Sequence, residues 1–106
     1  NLEDFSMNFN KQNIFLKGVN ISIVENIKKN HWLARIYERG SGETKACGSA
    51  ACAISACLKF FKNTQSKNNY IHMQGGKAQV KWSGKKLESV YLLGTASYVF
   101  NGTYNI

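Results

Sequence analysis

Apolar and polar residues alternate along most of the chain, in short runs separated by asparagine, glycine and charged residues. Alternation of this kind is typical of half-buried β-strands. It predicts strands at residues 14–16, 19–24, 32–38, 70–73, 78–82, 87–93 and 98–100. After the fifth of these runs, the letters WSGKK predict a hairpin turn, because Gly84 is free to adopt a positive φ.

One segment in the middle of the chain does not alternate. It starts near Gly48 with an alanine-rich run that favours a helix, and it reaches about Lys62, where Asn63 and Thr64 are predicted to end it. Apolar residues occur all around this helix, so it must be buried, most simply by a sheet that wraps around it. The pattern therefore predicts an α+β fold: a curled, mainly antiparallel or mixed sheet, barrel-like, around one central helix.

Composition limits the chain to one domain and leaves its charge to be explained. With 106 residues, 43% of them hydrophobic, the chain can bury one core. The net charge of +8 would suit RNA or another acidic partner. However, the lysines form only short clusters beside predicted turns and helix ends, and no RNA-binding signature accompanies them. We therefore expect no nucleic-acid partner, and an anionic small substrate would fit the charge equally well.

The sequence also carries expectations about the location of the protein. No apolar run approaches the roughly 20 residues that cross a bilayer, and no charged-then-apolar leader opens the chain. Its three cysteines, an odd number within eleven residues, do not form a disulfide framework. These features predict a cytoplasmic protein with reduced thiols and no membrane partner.

The glycine-rich stretch GSGETKACGS resembles phosphate-binding loops, but its spacing is wrong for them. A dinucleotide-binding fingerprint that starts at Gly40 would need glycine at Lys45. A P-loop that starts at Gly42 would need Gly-Lys at positions 47 and 48, where Cys-Gly stands. Both kinds of phosphate site are therefore excluded.

A zinc site formed by the cysteines is excluded by geometry. Cys47, Cys52 and Cys57 are five residues apart, so successive thiols are rotated by about 140° around the helix and cannot meet at one ion. His31 and His72 show no ligand spacing. We expect no metal, and we interpret Cys52 and Cys57 as buried packing residues, because free cysteine is among the most buried residue types.

Cys47 differs from the other two because it comes just before the helix. The first turn of a helix has unpaired N–H groups and a partial positive charge, which stabilise a thiolate. The N–H groups of Gly48 and Ser49 would also hold a carboxylate. If that carboxylate belonged to an amino acid, its α-proton would lie beside Cys47, and the same donors would stabilise the charge left after proton removal. Glu38 and Arg39 are either ligand-recognition groups or a solvated pair.

The stretch YERGSGETKACGSAACA resembles the diaminopimelate epimerase family, and GVNISIVE, GGKAQVKW and GTASYVFNG support the resemblance in the family's order. It implies an isomerase of bacterial lysine and peptidoglycan biosynthesis that interconverts LL- and meso-diaminopimelate. In this family two cysteines act as base and acid on opposite faces of the α-carbon, without pyridoxal phosphate, metal or any other cofactor. Related proline racemases and phenazine-biosynthesis isomerases share the fold.

The resemblance also implies a role for each predicted site residue. Cys47 would be one of the two catalytic cysteines, and the other groups would bind substrate. Gly48 and Ser49 would hold the carboxylate at the reacting carbon. Glu38 and Arg39 would recognise ammonium and carboxylate groups, and Asn20 would contact the distal end of the substrate.

The family enzyme is longer and has two similar domains, with the partner cysteine in the N-terminal one. Residues 1–106 are therefore expected to be a C-terminal domain, incomplete at its N-terminus and inactive alone, with a homodimer left open. Cys52 cannot replace the partner, because it lies about 7.5 Å along the helix axis from Cys47. The family usually has glycine where Ala50 stands, and a methyl group is harmless there if the backbone is helical. A basic module for RNA or acidic partners and a non-catalytic remnant of the fold are the alternatives.

Overall fold

The structure is a computed structural model that describes residues 1–62 and 66–106. Within these residues the chain forms two helices and six strands. Their order is α1 (Leu2–Lys11), β1 (Ile21–Lys28), β2 (His31–Glu38), β3 (Gly42–Thr44), α2 (Gly48–Phe61), β4 (Asn68–Met73), β5 (Gly76–Lys81) and β6 (Tyr91–Leu93). The predicted helix end at Asn63 and Thr64 lies outside the described residues.

The strands form one mixed sheet in the order β1-β2-β4-β5-β6, with β3 paired to the end of β2. Neighbouring strands are antiparallel except β2 and β4, which run parallel. A parallel pair requires a crossover, and α2 lies within that connection. The predicted α+β class with a mixed sheet is confirmed. In the part of the chain that the structure describes, β1 and β6 end the sheet without meeting, so the barrel is not closed.

The core lies between α2 and one face of the sheet. Alternation directs one set of side chains from β2, β4 and β5 toward the helix. Ile71 and Val80 are fully buried there, and Trp32 packs at the margin. The buried core residues are Ala34, Ala51, Ile54, Leu58, Ile71, Ala78 and Val80.

The N-terminal segment corrects the first predicted strand. Residues 2–11 form α1, and residues 14–16 lie in the turn that follows it rather than in a strand. The side chain of Asn1 starts the helix by accepting hydrogen bonds from the N–H groups of Glu3 and Asp4, at 2.9 and 3.3 Å. Only Leu2 and Ser6 are buried, so the helix has too narrow an apolar face to show in the sequence pattern.

The C-terminal segment contains a second correction. The predicted strand 87–93 is reduced to Tyr91–Leu93, and residues 98–100 form no strand. Tyr98, Val99 and Phe100 are each more than three-quarters exposed. Gly84 has the expected positive φ, +89°, but the connection around it runs from Trp82 to Val90 and is not a tight hairpin. Among the described residues, neither helix has the length and apolar character needed to cross a membrane.

Candidate functional site

Cys47 occupies the position just before α2. Its backbone is extended, with φ −147° and ψ 113°, and its carbonyl accepts the N–H of Ala51 at 3.0 Å, the first bond of the helix. The side chain makes no capping hydrogen bond. The thiol is half-buried, and Sγ lies 3.3 Å from the Oγ of Ser49. The first amides of α2, which have no partner inside a helix, therefore begin directly beside the thiol.

The backbone at Ala50 determines whether a methyl group fits at this position, where glycine is usual in the family that the sequence resembles. Ala50 lies in the first turn of α2, is buried, and is not among the residues with positive φ. Its methyl group is therefore compatible with the helix.

The other two cysteines have different surroundings. Cys52 packs against the core, and its burial raises the pKa of its thiol. Cys57 was expected to be buried, but it is exposed. It lines an apolar groove of about 400 Å³ together with Phe61. Phe61, the last residue of α2, is also exposed.

The glycine-rich stretch forms a tight hairpin between β2 and β3. Gly40 and Gly42 both have φ +81°, which only glycine adopts readily, and the N–H of Ser41 donates to the carbonyl of Glu38 at 3.0 Å. The hairpin places Thr44 beside Glu38, and the Thr44 hydroxyl donates to Oε1 of Glu38 at 2.6 Å. The glycines thus orient a carboxylate.

Asn20 and Arg39 are brought together by the backbone. The N–H of Arg39 donates to Oδ1 of Asn20 at 3.0 Å, and the Arg39 guanidinium donates to the carbonyl of Lys17. Both side chains are exposed. Glu38 and Arg39 do not pair within the described residues, because their side chains have the separate partners named above. The bonds in this region join Asn20 to Arg39, Glu38 to Thr44 and Cys47 to Ser49.

Two residues that support the site were not predicted from the sequence. Asn10 of α1 accepts the N–H of Val19 at 2.6 Å and donates to its carbonyl at 3.2 Å, which fixes the backbone just before Asn20. Thr44 holds Glu38. Neither had a detectable signal, since one depends on the unpredicted α1 and the other on the register of β2 and β3.

A bidentate ion pair across the β2–β3 hairpin was also not predicted from the sequence. Arg35 and Glu43 are joined by two bonds of 2.7 Å across the β2–β3 hairpin. The hydrogen bond from Arg35 lowers the pKa of the Glu43 carboxyl. This pair stabilises the hairpin that presents Glu38.

His31 and His72 are joined by the parallel pairing of β2 and β4. His31 Nδ1 lies 2.8 Å from His72 Nε2, and the His31 ring stacks on Tyr70. Desolvation, followed by the charge of Lys28 and smaller contributions from His72 and Lys77, lowers the pKa of His31. In residues 1–62 and 66–106, no three histidine, cysteine or acidic side chains converge as they would around a metal ion.

Comparison with known proteins identifies the family. The profile of the family described as diaminopimelate epimerase matches residues 1–99. The chain belongs to the diaminopimelate epimerase family. The resemblance drawn from the YERGSGETKACGSAACA stretch is thus confirmed. Helix α2 and the β2–β3 hairpin both lie within the residues that this family profile matches.

Two relatives illustrate the match. The chain is 41% identical over 95 residues to the diaminopimelate epimerase of Buchnera aphidicola subsp. Acyrthosiphon pisum (strain 5A), covering 90% of this chain and 33% of that protein. It is 40% identical over 94 residues to the diaminopimelate epimerase of Blochmanniella floridana, covering 87% and 33%. The chain therefore spans about a third of the length of these relatives.

Solved structures support the fold. A phenazine biosynthesis protein of the PhzF family from Enterococcus faecalis aligns with TM-score 0.62 at 20% identity, over 85% of this chain and 32% of that one. A second, described as a putative PhzC/PhzF protein from Clostridium difficile (strain 630), aligns with TM-score 0.55 at 19% identity, over 74% and 28%. At these identities the likeness concerns the fold alone.

Proposed function

We propose that this chain is the C-terminal domain of a cofactor-independent diaminopimelate epimerase, with Cys47 as one of its two acid/base groups. The observation that carries the proposal is the position of a half-buried thiol just before the first turn of α2, which begins at Gly48. This position lies inside the region matched by the epimerase family. The substrate is a small amino acid, diaminopimelate.

The proposed reaction is a proton transfer at the substrate α-carbon. The Cys47 thiolate takes the α-proton, and the electron pair of the C–H bond moves into the adjacent carboxylate. The N–H groups of Gly48 and Ser49 stabilise the charge that develops on the carboxylate oxygens, as in an oxyanion hole. A second thiol on the opposite face returns a proton to the carbon, which inverts its configuration. In the reverse direction the two cysteines exchange roles.

Three residues outside the helix start are assigned to substrate recognition. Glu38 presents a carboxylate held by Thr44, which suits an ammonium group. Arg39 is exposed and suits a carboxylate. Asn20 accepts the Arg39 N–H through Oδ1, and its side-chain N–H₂ is assigned to the distal end of the substrate. Charges of both signs match diaminopimelate, which carries two ammonium and two carboxylate groups.

The second cysteine is assigned to an N-terminal domain outside these residues. Cys52 lies inside α2, and burial raises the pKa of its thiol. Cys57 is exposed but lies farther along the same helix. The chain spans about a third of its relatives, which leaves room for a domain that supplies the partner. We extend the proposal to a cytoplasmic location, since the three cysteines are free thiols.

The test compares the chain alone with the chain joined to the N-terminal domain of the Buchnera relative. Exchange of the substrate α-hydrogen with solvent deuterium is measured by NMR. We expect no exchange from the chain alone and activity from the joined protein. Cys47→Ala should abolish that activity, while Cys52→Ala should retain it. Exchange by the isolated chain, or activity that survives Cys47→Ala, would contradict the proposal.

A further inference from the structure

The turn between β4 and β5 contacts the backbone that leads into Cys47. The N–H of Gly75, in this turn, donates to the carbonyl of Lys45 at 2.6 Å. Lys45 lies two residues before Cys47 and is outside both β3 and α2. The hydrogen bond therefore fixes a segment that has no regular secondary structure of its own.

The contact leaves little room for a side chain at position 75. A Cβ atom on Gly75 would lie 3.1 Å from the carbonyl oxygen of Lys45 and 3.3 Å from Cβ of Ala46. Both neighbours belong to the segment before Cys47, and the nearer one is backbone. The φ of Gly75 is outside the positive region, whereas the next residue, Gly76, has φ +145° and open space around it. Gly76 therefore shapes the turn, and Gly75 allows the close approach.

A second contact fixes the other side of Cys47. A Cβ atom on Gly48 would lie 2.7 Å from Cδ2 of Leu92, so β6 packs directly against the first residue of α2. Lys45, before Cys47, thus contacts the β4–β5 turn, and Gly48, after Cys47, contacts β6. Because its backbone is fixed on both sides, the direction of the thiol is set by the sheet as well as by the helix.

We propose that Gly75 is a positioning residue for Cys47: its N–H and its missing side chain hold residues 45–46, and with them the backbone that carries the thiol to the start of α2. This inference rests on the proposed function, because it assigns a partner to the proposed acid/base group. Gly75 acts through the backbone and touches no substrate. Misplacing a reacting group by about 1 Å costs up to about 100-fold in rate. Adding one methyl group here displaces the segment by a few tenths of an ångström.

The test compares Gly75→Ala with Gly94→Ala. Gly75 and Gly94 both line a cavity of about 290 Å³ beside the start of α2. Gly94 has open space at its Cβ position and no positive φ. Alkylation of Cys47 by iodoacetamide at pH 7 is followed by mass spectrometry, with exposed Cys57 as internal reference. In Gly75→Ala the rate of Cys47 alkylation, relative to that of Cys57, should fall about threefold to tenfold, because the displaced backbone moves the thiol away from the start of α2. A relative rate of Cys47 alkylation equal to that of Gly94→Ala would overturn the proposal.

The joined enzyme provides a second measurement. Gly75→Ala should lower kcat by about tenfold with KM nearly unchanged, since Cys47 is misplaced while the substrate contacts remain. A changed KM with unchanged kcat would overturn the proposal. If instead Cys47→Ala remains active, the proposed function fails, whatever the effect at Gly75. If Gly75→Ala has an unchanged kcat and Cys47→Ala is inactive, only the positioning role of Gly75 is refuted.

The wild-type chain supplies a measurement that does not depend on the folding of a variant. The Gly75 amide, bonded to the Lys45 carbonyl at 2.6 Å, should be protected from hydrogen exchange. Exchange as fast as that of an unstructured glycine amide would overturn the proposal.

Discussion

Ser55 offers a measurable test of how α2, the helix that begins after Cys47, is fixed to the sheet. The Asn69 side chain donates to Oγ of Ser55 at 2.9 Å and accepts from Nε1 of Trp32 at 3.3 Å. Ser55 is 4% exposed and Asn69 is 2% exposed. Ser55→Ala removes one acceptor from a buried amide and leaves the rest of the contact in place. Leaving a buried donor unpaired costs about 1–3 kcal/mol.

The assay is urea unfolding of the chain followed by tryptophan fluorescence, with Ser89→Ala as the control. Ser89 is exposed, and surface substitutions usually change the free energy of unfolding by less than about 0.5 kcal/mol. Ser55→Ala should lower it by about 1–3 kcal/mol, a fall of roughly 4–8 °C in Tm for each kcal/mol in a domain of this size.

A double-mutant cycle separates the hydrogen bond from packing. Asn69→Ala removes the amide itself, so adding Ser55→Ala to it should cost less than Ser55→Ala costs alone. The coupling between the two positions should reach about 0.5 kcal/mol or more. Additive effects, or a Ser55→Ala effect no larger than that of Ser89→Ala, would refute the assignment of this bond to the attachment of α2.

Two further predictions concern the hairpin and the histidine pair. Thr44→Val in the joined enzyme should raise KM for diaminopimelate about tenfold with a smaller effect on kcat, because Glu38 loses a charge-assisted hydrogen bond. The control is Thr95→Val, at an exposed position. An equal KM for both variants would contradict the prediction. Because desolvation and neighbouring positive charge lower the pKa of His31 from its usual 6.5, the folded state favours the neutral ring. That stabilisation is complete above pH 6.5 and is lost as pH falls through the lowered pKa. His31→Gln should therefore make Tm fall less steeply on acidification. An equally steep fall of Tm in the variant would show that His31 does not cause it.

The parts of the fold that the sequence predicted are those whose burial is periodic. β2, β4 and β5 alternate between core and solvent, and α2 starts at Gly48 as expected. α1 escaped prediction because its position depends on the Asn1 cap and on tertiary contacts of Leu2 and Ser6, not on a broad apolar face. Residues 98–100 alternate like a strand, yet alternation cannot supply a neighbouring strand for hydrogen bonding.

The candidate site was predictable to the same extent. The position of Cys47 before α2 is a local property, readable from the glycine and alanine residues that follow it. The partners of Glu38 and Arg39 are not local in this sense. Thr44 meets Glu38 only in the register of the β2–β3 hairpin, and Asn20 is held in place by α1. Tertiary pairing of this kind leaves no trace in spacing along one sequence.

The parallel pairing of β2 and β4 has a consequence for how the site assembles. The hairpins β1–β2 and β4–β5 close short loops and form from local contacts, whereas β2 and β4 can pair only after the chain has crossed over through α2. Closing the longer loop carries the larger entropic cost, and contacts of high sequence separation are the slow ones. The Gly75 turn belongs to the second hairpin and Cys47 to the crossover, so they meet only when this non-local step is complete. The geometry around the thiol is therefore tied to the cooperative closure of the whole domain.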